Sequence, residues 1–480
     1  YAFAGSGLTS VVIPGTITEV GDCAFRESQL VSAEFCQGEE YTEASRGYAV
    51  FENCEKLKTV KLSDNIVSIG ERLIYGTRVE SITIPKSVKK GGGGSESGVL
   101  CNDCYLKEII FEEGIETIPA YIAAGAQYVE KVVIPEGVTT IEDGAFSNAG
   151  SLVQVVLPEG VKTINVAAFQ NTFSLVQLVL PEGIKTIGQD AFAGSGLTSI
   201  VIPGSITEVG YGAFRDSQLV SAEFLNGDEY TEARLGSSIF ENSKKLKTVK
   251  LSENIVSIGE RLIYGTRVES ITIPKSIREG RGYETTGVLF NDTYLKEIIF
   301  EEGIEIIPDY IAAGAKNVQN IVIPEGVKRI GYYAFAGSGL TSVVIPGSIT
   351  EVGDCAFRES QLVSVEFCDG EEYTEASLGY AVFENCEKLK TVKLSDNIVS
   401  IGERLIYGTR VESITIPKSV KKGYGGSESG VLCNDRYLKE IIFEEGIETI
   451  PAYIAAGAQY VEKVVIPEGV TTIEDGAFSN

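Results

Sequence analysis

Histidine, tryptophan and methionine are absent from all 480 residues. Without histidine the chain lacks the commonest general base and the commonest metal ligand. Without methionine it has no initiator residue and reads as a segment of a longer reading frame. Basic residues are scarce: 41 Lys and Arg against 67 Asp and Glu give a net charge of −26. That balance repels a phosphate backbone and argues against nucleic acid as a partner. No apolar stretch approaches the roughly 20 residues that a transmembrane helix needs. The opening YAFAGSG has neither the basic nor the apolar region of a secretion signal, so any signal or anchor is expected outside this window. Strong helix-forming runs are few, whereas 53 glycines and a 43% hydrophobic content point to strands and turns around an ample core.

What is present is a repeat, LxxIxIPxxVxxIGxxAF. Its copies start at Leu8, Leu30, Leu57, Val79, Leu106, Val129, Leu152, Leu175, Leu197 and onward to Val461, at spacings of 22, 23 or 27 residues. In the copy at Leu197, Ile200 and Ile202 share one face of a short strand, and Leu197 enters from the preceding bend. Pro203 cannot donate to a ladder and stops the strand. Ile206 and Val209 form a second short apolar pair, and Ala213 and Phe214 close the coil. One such unit cannot bury its own apolar edge, but stacked copies align these positions into continuous interior columns, with successive strands pairing in parallel. The expected fold is a β-dominated solenoid, a right-handed leucine-rich-repeat superhelix of about 20 stacked units with one parallel sheet face. Residues 1–480 are expected to form one continuous array, cassettes 8–196, 197–339 and 340–480, cut from a longer one.

The template resembles the BspA-like (treponemal-type) leucine-rich repeats in its IP turn and its AF closing segment. The resemblance covers essentially the whole chain. FENCEKL at Phe51 keeps the cysteine of the family's closing segment; AFRES at Ala24 and AFAGS at Ala334 lack it. The resemblance implies extracellular or cell-surface placement, secretion, and adhesion or protein contact. It implies no catalytic residue and no cofactor.

A longer period lies above the repeat. Residues 1–148 recur at 333–480 with six differences, among them Arg46/Leu378, Gly92/Tyr424 and Cys104/Arg436. The cassette beginning at Leu197 is a more distant copy and lacks two 23-residue units that the first carries around Leu152 and Leu175. Each cassette also has two 27-residue units. Their extra residues, QGEEYTEASRGYA from Gln37 and KSVKKGGGGSESG from Lys86, are expected to replace the second short strand and to emerge from one edge. The first loop is acidic with tyrosines; the second is Gly/Ser-rich and expected to be mobile.

Candidate chemistry is sparse. Cys101-Asn102-Asp103-Cys104 has CxxC spacing, but a zinc site needs two more ligands, and the positions fall in a closing segment where buried small residues are expected. Cys36 with Cys54, and Cys368 with Cys386, bracket the acidic loop and are either disulfides or buried thiols. The acidic groups Glu39, Glu40 and Glu43, and Asp369, Glu371, Glu372 and Glu375, lack EF-hand spacing and read as solvated. Adjacent carboxylates such as Glu112 and Glu113 do not converge across a cleft as hydrolytic pairs must. No metal site and no enzymatic activity are expected.

The outward fifth positions, Val12, Glu34, Lys61, Thr83, Ile110 and Val133, and the second, Thr9, Val31, Lys58, Glu80, Lys107 and Glu130, mix signs and small residues without an aromatic platform. The resulting expectation is a non-enzymatic extracellular scaffold, a structural fibre or surface spacer. An adhesin segment that binds host or neighbouring-cell proteins through its sheet face and loops is the alternative. Partners are other proteins or further copies of the chain, joined head to tail or laterally as a filament. Tyr41, Tyr48, Tyr230, Tyr373 and Tyr380 are the candidate contact residues.

Overall fold

The computed structural model describes all residues except 39–43, 102, 229–230, 284–285, 291–292, 371–373 and 434. It divides into two compact units, Tyr1–Leu246 and Lys247–Asn480. Each is a parallel β-solenoid, and no helix occurs among the described residues.

In the first unit the front strands Ser10–Ile13, Ser32–Phe35 and Thr59–Lys61 form one ladder, and Ser81–Ile84, Glu108–Phe111, Lys131–Val133 and Gln154–Val156 form a second. Ser199–Ile202 and Ser221–Phe224 pair with each other. Each four-residue front strand ending in Ile before proline stops where the missing N–H requires, as Ser199–Ile202 does at Pro203. A proline carbonyl then accepts from the residue three on, as Pro203 does from Ile206 N at 3.1 Å, which turns the chain. The predicted interior positions of that coil, Leu197, Ile200, Ile202, Ile206, Val209, Ala213 and Phe214, are all buried.

The second short strands run together over more coils than the front ones. Thr117–Ile118, Thr140–Ile141, Thr163–Ile164, Thr186–Ile187, Glu208–Val209 and Ala233–Leu235 form one parallel side ladder in the first unit. In the second unit Ile306–Ile307 through Lys422–Gly423 do the same.

The closing segments make a third ladder. Strand N–H groups reach back to the preceding coil, as from Val153 N to Glu130 O (2.8 Å), but closing-segment N–H groups reach forward. Gly144, Phe146 and Asn148 donate to the carbonyls of Val166, Ala168 and Gln170 at 2.7–2.8 Å, while the intervening N–H groups close local turns. This alternation needs left-handed backbone at fixed places; Gly144 (φ 57°), Asn148 (56°) and Asn171 (57°) supply it with residue types that tolerate it, whereas Tyr121 (52°) and Ala167 (53°) adopt it at the place that Gly144 holds. The N–H groups of residues 144–148 thus all find partners without a strand. The closing phenylalanines stack along the same direction: Phe146, Phe169, Phe192 and Phe214 follow at ring-centroid distances of 5.2, 5.4 and 5.3 Å, and Phe335 and Phe357 in the second unit at 5.2 Å.

The long units correct the expectation that their loops replace the side strand. Ala44–Arg46 follows the acidic loop and pairs with both Glu19–Val20 and Ile66–Ile69. Lys90–Gly91 precedes the Gly/Ser-rich loop and pairs with Ile66–Ile69. The extra residues therefore lie before the side strand in one unit and after it in the other, and leave the coil at different places. An insertion outside the strand keeps the ladder bonds, whereas one within it would orphan them. The Gly/Ser-rich loop is also tied down: Ser95 O accepts from Ser147 Oγ at 2.8 Å and from Asn148 Nδ2 at 2.7 Å, two coils onward. Ser427 O accepts from Ser479 and Asn480 in the second unit. Its glycines permit this approach, since a Cβ on Gly98 would stand 2.0 Å from Tyr121 O.

Candidate binding surface

The cysteines are separate thiols. Cys54 Sγ donates to Phe25 O at 3.0 Å and lies 3.2 Å from Ser28 Oγ, and Cys386 does the same with Phe357 O and Ser360. In the middle cassette Ser243 Oγ stands in the same place, donating to Phe214 O at 3.0 Å beside Ser217. The residue needed here is a small buried donor, and neither Cys36 with Cys54 nor Cys368 with Cys386 is bonded in the structure. Burial pushes the Cys386 thiol up to about 12. Cys101 is buried, and that burial pushes its thiol up to about 11, whereas Cys104 is exposed. The two face opposite environments and form no chelate. Between them Asp103 is buried and accepts from Thr77 Oγ1 at 2.6 Å and from Tyr105 N at 3.0 Å. Burial raises its carboxyl and the Thr77 bond opposes that rise.

Among the described residues no group of three or more His, Cys, Asp or Glu side chains could hold a metal ion. Also among them, no helix is long and apolar enough to cross a membrane. The acidic residues Glu39, Glu40, Glu43, Glu371 and Glu372 lie outside the described residues, as do Tyr41, Tyr230 and Tyr373. Asp369 is described, and Glu375 pairs with Lys421 at 3.1 Å.

Tyr48 and Tyr380 stand at the start of closing segments, beyond the side strand. Tyr48 OH accepts from Arg72 Nη1 at 3.0 Å, and the Arg72 guanidinium lies 5.8 Å from its ring centre. Arg404 lies at the same distance from Tyr380. Each arginine also reaches a buried carboxylate, Glu52 at 3.7 Å and Glu384 at 3.6 Å, which a second arginine, Arg26 or Arg358, pairs at 3.1 and 3.3 Å. These tyrosines are half-exposed caps on an ionic cluster.

The front face turns apolar from its fifth coil onward. Its fifth-position column runs from Ile110 to Val133 and Val156 in ladder register, then to Val179 and Val201, all exposed. Thr83 and Glu223, the register partners of Ile110 and Val201, bound it. Val153 and Val176 add a second, parallel column. Val179 is 84% exposed, in a coil whose residues 175–180 form no front strand. Phe173 is 64% exposed and leans over Gly150, where a Cβ would lie 3.8 Å from its ring. Phe173, two residues before Leu175, thus adds an exposed aromatic that the outward second and fifth positions do not include. A depression of about 470 Å³ adjoins Ile110 and Val133. Exposed Glu136, Glu159 and Glu182 follow the column on its C-terminal side, one per turn, and among the described residues none of the three is in an ion pair. Apolar residues at roughly half exposure over five coils make a contiguous patch on the order of 500 Å², the size that marks contact surfaces on soluble proteins. The missed signal is in the sequence: the fifth-position column, followed past Val133 through the two additional 23-residue units and the coil at Leu197, gives valine three more times.

No curated protein matches the chain. Among solved structures it is similar to a leucine-rich repeat protein of Bacteroides ovatus, with 19% identity, TM-score 0.39 and 82% of each chain covered. It is also similar to a leucine-rich cell-surface protein of Faecalibacterium prausnitzii, with 21% identity, TM-score 0.33, and coverage of 82% of this chain and 88% of that one. A third is the pneumococcal vaccine antigen PcpA, with 17% identity, TM-score 0.31, and coverage of 82% and 77%. The profile of the BspA type leucine rich repeat region matches in six copies, at residues 1–94, 97–221, 162–286, 228–311, 286–378 and 371–480. Matched over nearly its entire length, the chain belongs to the BspA-type leucine-rich repeat family.

Proposed function

We propose that the chain is a non-enzymatic extracellular repeat scaffold whose first unit presents a protein-contact face. The observation that carries this reading is the exposed column Ile110, Val133, Val156, Val179 and Val201 with Phe173 beside it. The fold does not need these side chains, because the alternating strand residues already fill the interior; outward apolar groups over five coils gain nothing until something covers them. Extracellular placement rests on the family.

The test uses the purified chain and intact cells. Saturable binding to immobilised extracellular proteins or to protease-sensitive sites on cells is expected, and it should be lost in a Val156→Asp/Val179→Asp variant with an unchanged melting profile. Limited proteolysis of intact producing cells should release peptides of the chain. Equal binding by the variant removes the contact face, and protection from protease until lysis removes the extracellular placement.

A further inference from the structure

The two apolar columns are set apart in a way that selects the kind of chain they can take. Val153 and Val156, like Val176 and Val179, are three residues apart, about 10 Å in near-extended chain, with exposed Gln154 and Gln177 between them. That is the width of one α-helix with its side chains. Along the stack, successive valines step by about 4.8 Å, close to the 5.4 Å pitch of a helix and far from the nearly 7 Å between same-face residues of a strand. The front face also offers side chains where an added strand would need free backbone groups. A helix laid along the columns for the four steps from Ile110 to Val201 spans about 19 Å, or roughly 13 residues.

Charge narrows the partner further. Residues 106–196 carry eleven carboxylates against four lysines, Lys107, Lys131, Lys162 and Lys185, with no arginine. Glu136, Glu159 and Glu182 edge the patch, in no ion pair among the described residues. A second copy of this chain would bring the same acidic margin and a further −26 charge against it.

Resting on the contact-face reading, we infer that the partner segment is a cationic amphipathic helix of three to four turns. Its apolar side chains reach the Val153/Val176 and Val133/Val156/Val179 columns on either side of the exposed Gln154 and Gln177, Phe173 closes one side, and its basic flank meets Glu136, Glu159 and Glu182.

The probe is a fluorescent synthetic helix about 18 residues long, leucine on one face and lysine on the other, titrated with the full chain. A leucine–glutamate helix and a scrambled leucine–lysine peptide serve as controls. Saturable binding of the cationic helix alone is expected. Val156→Asp/Val179→Asp should weaken it about tenfold or more. Glu136→Gln/Glu159→Gln/Glu182→Gln should weaken it roughly three- to tenfold at low salt and leave it unchanged at high salt. Phe173→Lys/Val176→Gln keeps the test open should the aspartates unfold the chain, because Lys316 and Gln319 already occupy the corresponding places in the second unit. The inference is overturned if the acidic or scrambled peptide binds as tightly, or if the cationic helix binds all variants alike. It is also overturned if sedimentation shows the chain dimerising through this face and the valine variant abolishing the dimer. Loss of protein binding in the valine variant with no binding of the cationic helix would sink the partner chemistry and leave the contact face standing.

Discussion

The stretch from Leu106 to Val201 and its counterpart from Leu295 to Val344 are built from the same coil and differ in what they turn outward. The first has five exposed aliphatics in its fifth-position column; the second has three, Ile299, Val322 and Val344. Where the first places Phe173 and Val176, the second has Lys316 and Gln319. Both keep the interior: Leu175 and Val318, Ile187 and Ile330, Phe192 and Phe335 are all buried. Val179 and Val322, 84% and 78% exposed, each lie in a coil whose front strand is not formed. The comparison teaches that coil count and core are independent of the face. Two additional 23-residue coils lengthen the ladder without disturbing the columns, and their outward residues are free to specialise.

That separation can be broken first at the core, where the two units should respond alike. Phe169 and Phe357 are fully buried within ring stacks. Phe169→Ala and Phe357→Ala should each cost about 3–5 kcal/mol in chemical denaturation. A cost under about 1 kcal/mol in either would mean that the stack is not what holds the closing segments.

The ionic clusters come next. Removing Glu52 or Glu384 by alanine substitution leaves two arginines facing each other at a buried site and should cost roughly 1–3 kcal/mol, similarly in both positions. Lys61→Ala, which breaks the exposed pair with Glu34 (2.7 Å), should leave the melting midpoint within error. Equal losses for Glu52 and Lys61 variants would show that burial does not set the value of these contacts.

A smaller effect separates Cys386 from its hydroxyl counterpart Ser243. The folded Cys386 thiol is held up to about 12 by burial, against an ordinary value near 9. A group raised on folding contributes stability that is complete below its unfolded value and is lost as pH rises toward the folded one. Stability should therefore decline between about pH 9 and 12, and Cys386→Ser should flatten that decline while changing neutral-pH stability little. The same buried thiol should resist alkylation until the chain unfolds, whereas exposed Cys104 should label in the native protein. Rapid native labelling of Cys54 or Cys386 would contradict their placement.

Much of this was legible in the sequence, for identifiable reasons. Leu197, Ile200, Ile202, Ile206, Val209 and Phe214 recur at fixed offsets, and only a stacked coil makes those offsets one interior. The closing ladder was not legible, because its order lies in alternating backbone sign at positions such as Gly144 and Asn148, not in a hydrophobic period. Loop placement failed because a repeat spacing of 27 gives the number of extra residues and not their position relative to Ala44–Arg46 or Lys90–Gly91. The role of Cys54 was available from its alignment with Ser243, a pair that share size and donor capacity but not redox chemistry. The apolar face was available too, but of the first six coils only the last two, Ile110 and Val133, belong to it, and the others present mixed charge.

The measurement that bears most directly on the account is binding and stability together for Phe173→Lys/Val176→Gln, which gives the first unit the residues of the second at two exposed positions. Denaturation should be unchanged within about 0.5 kcal/mol, while saturable binding to extracellular proteins falls about tenfold or more. Val166→Ser, an exposed valine off the front face, should alter neither. Undiminished binding by the double variant, or a loss of binding matched by Val166→Ser, would contradict the claim that this face is the contact surface.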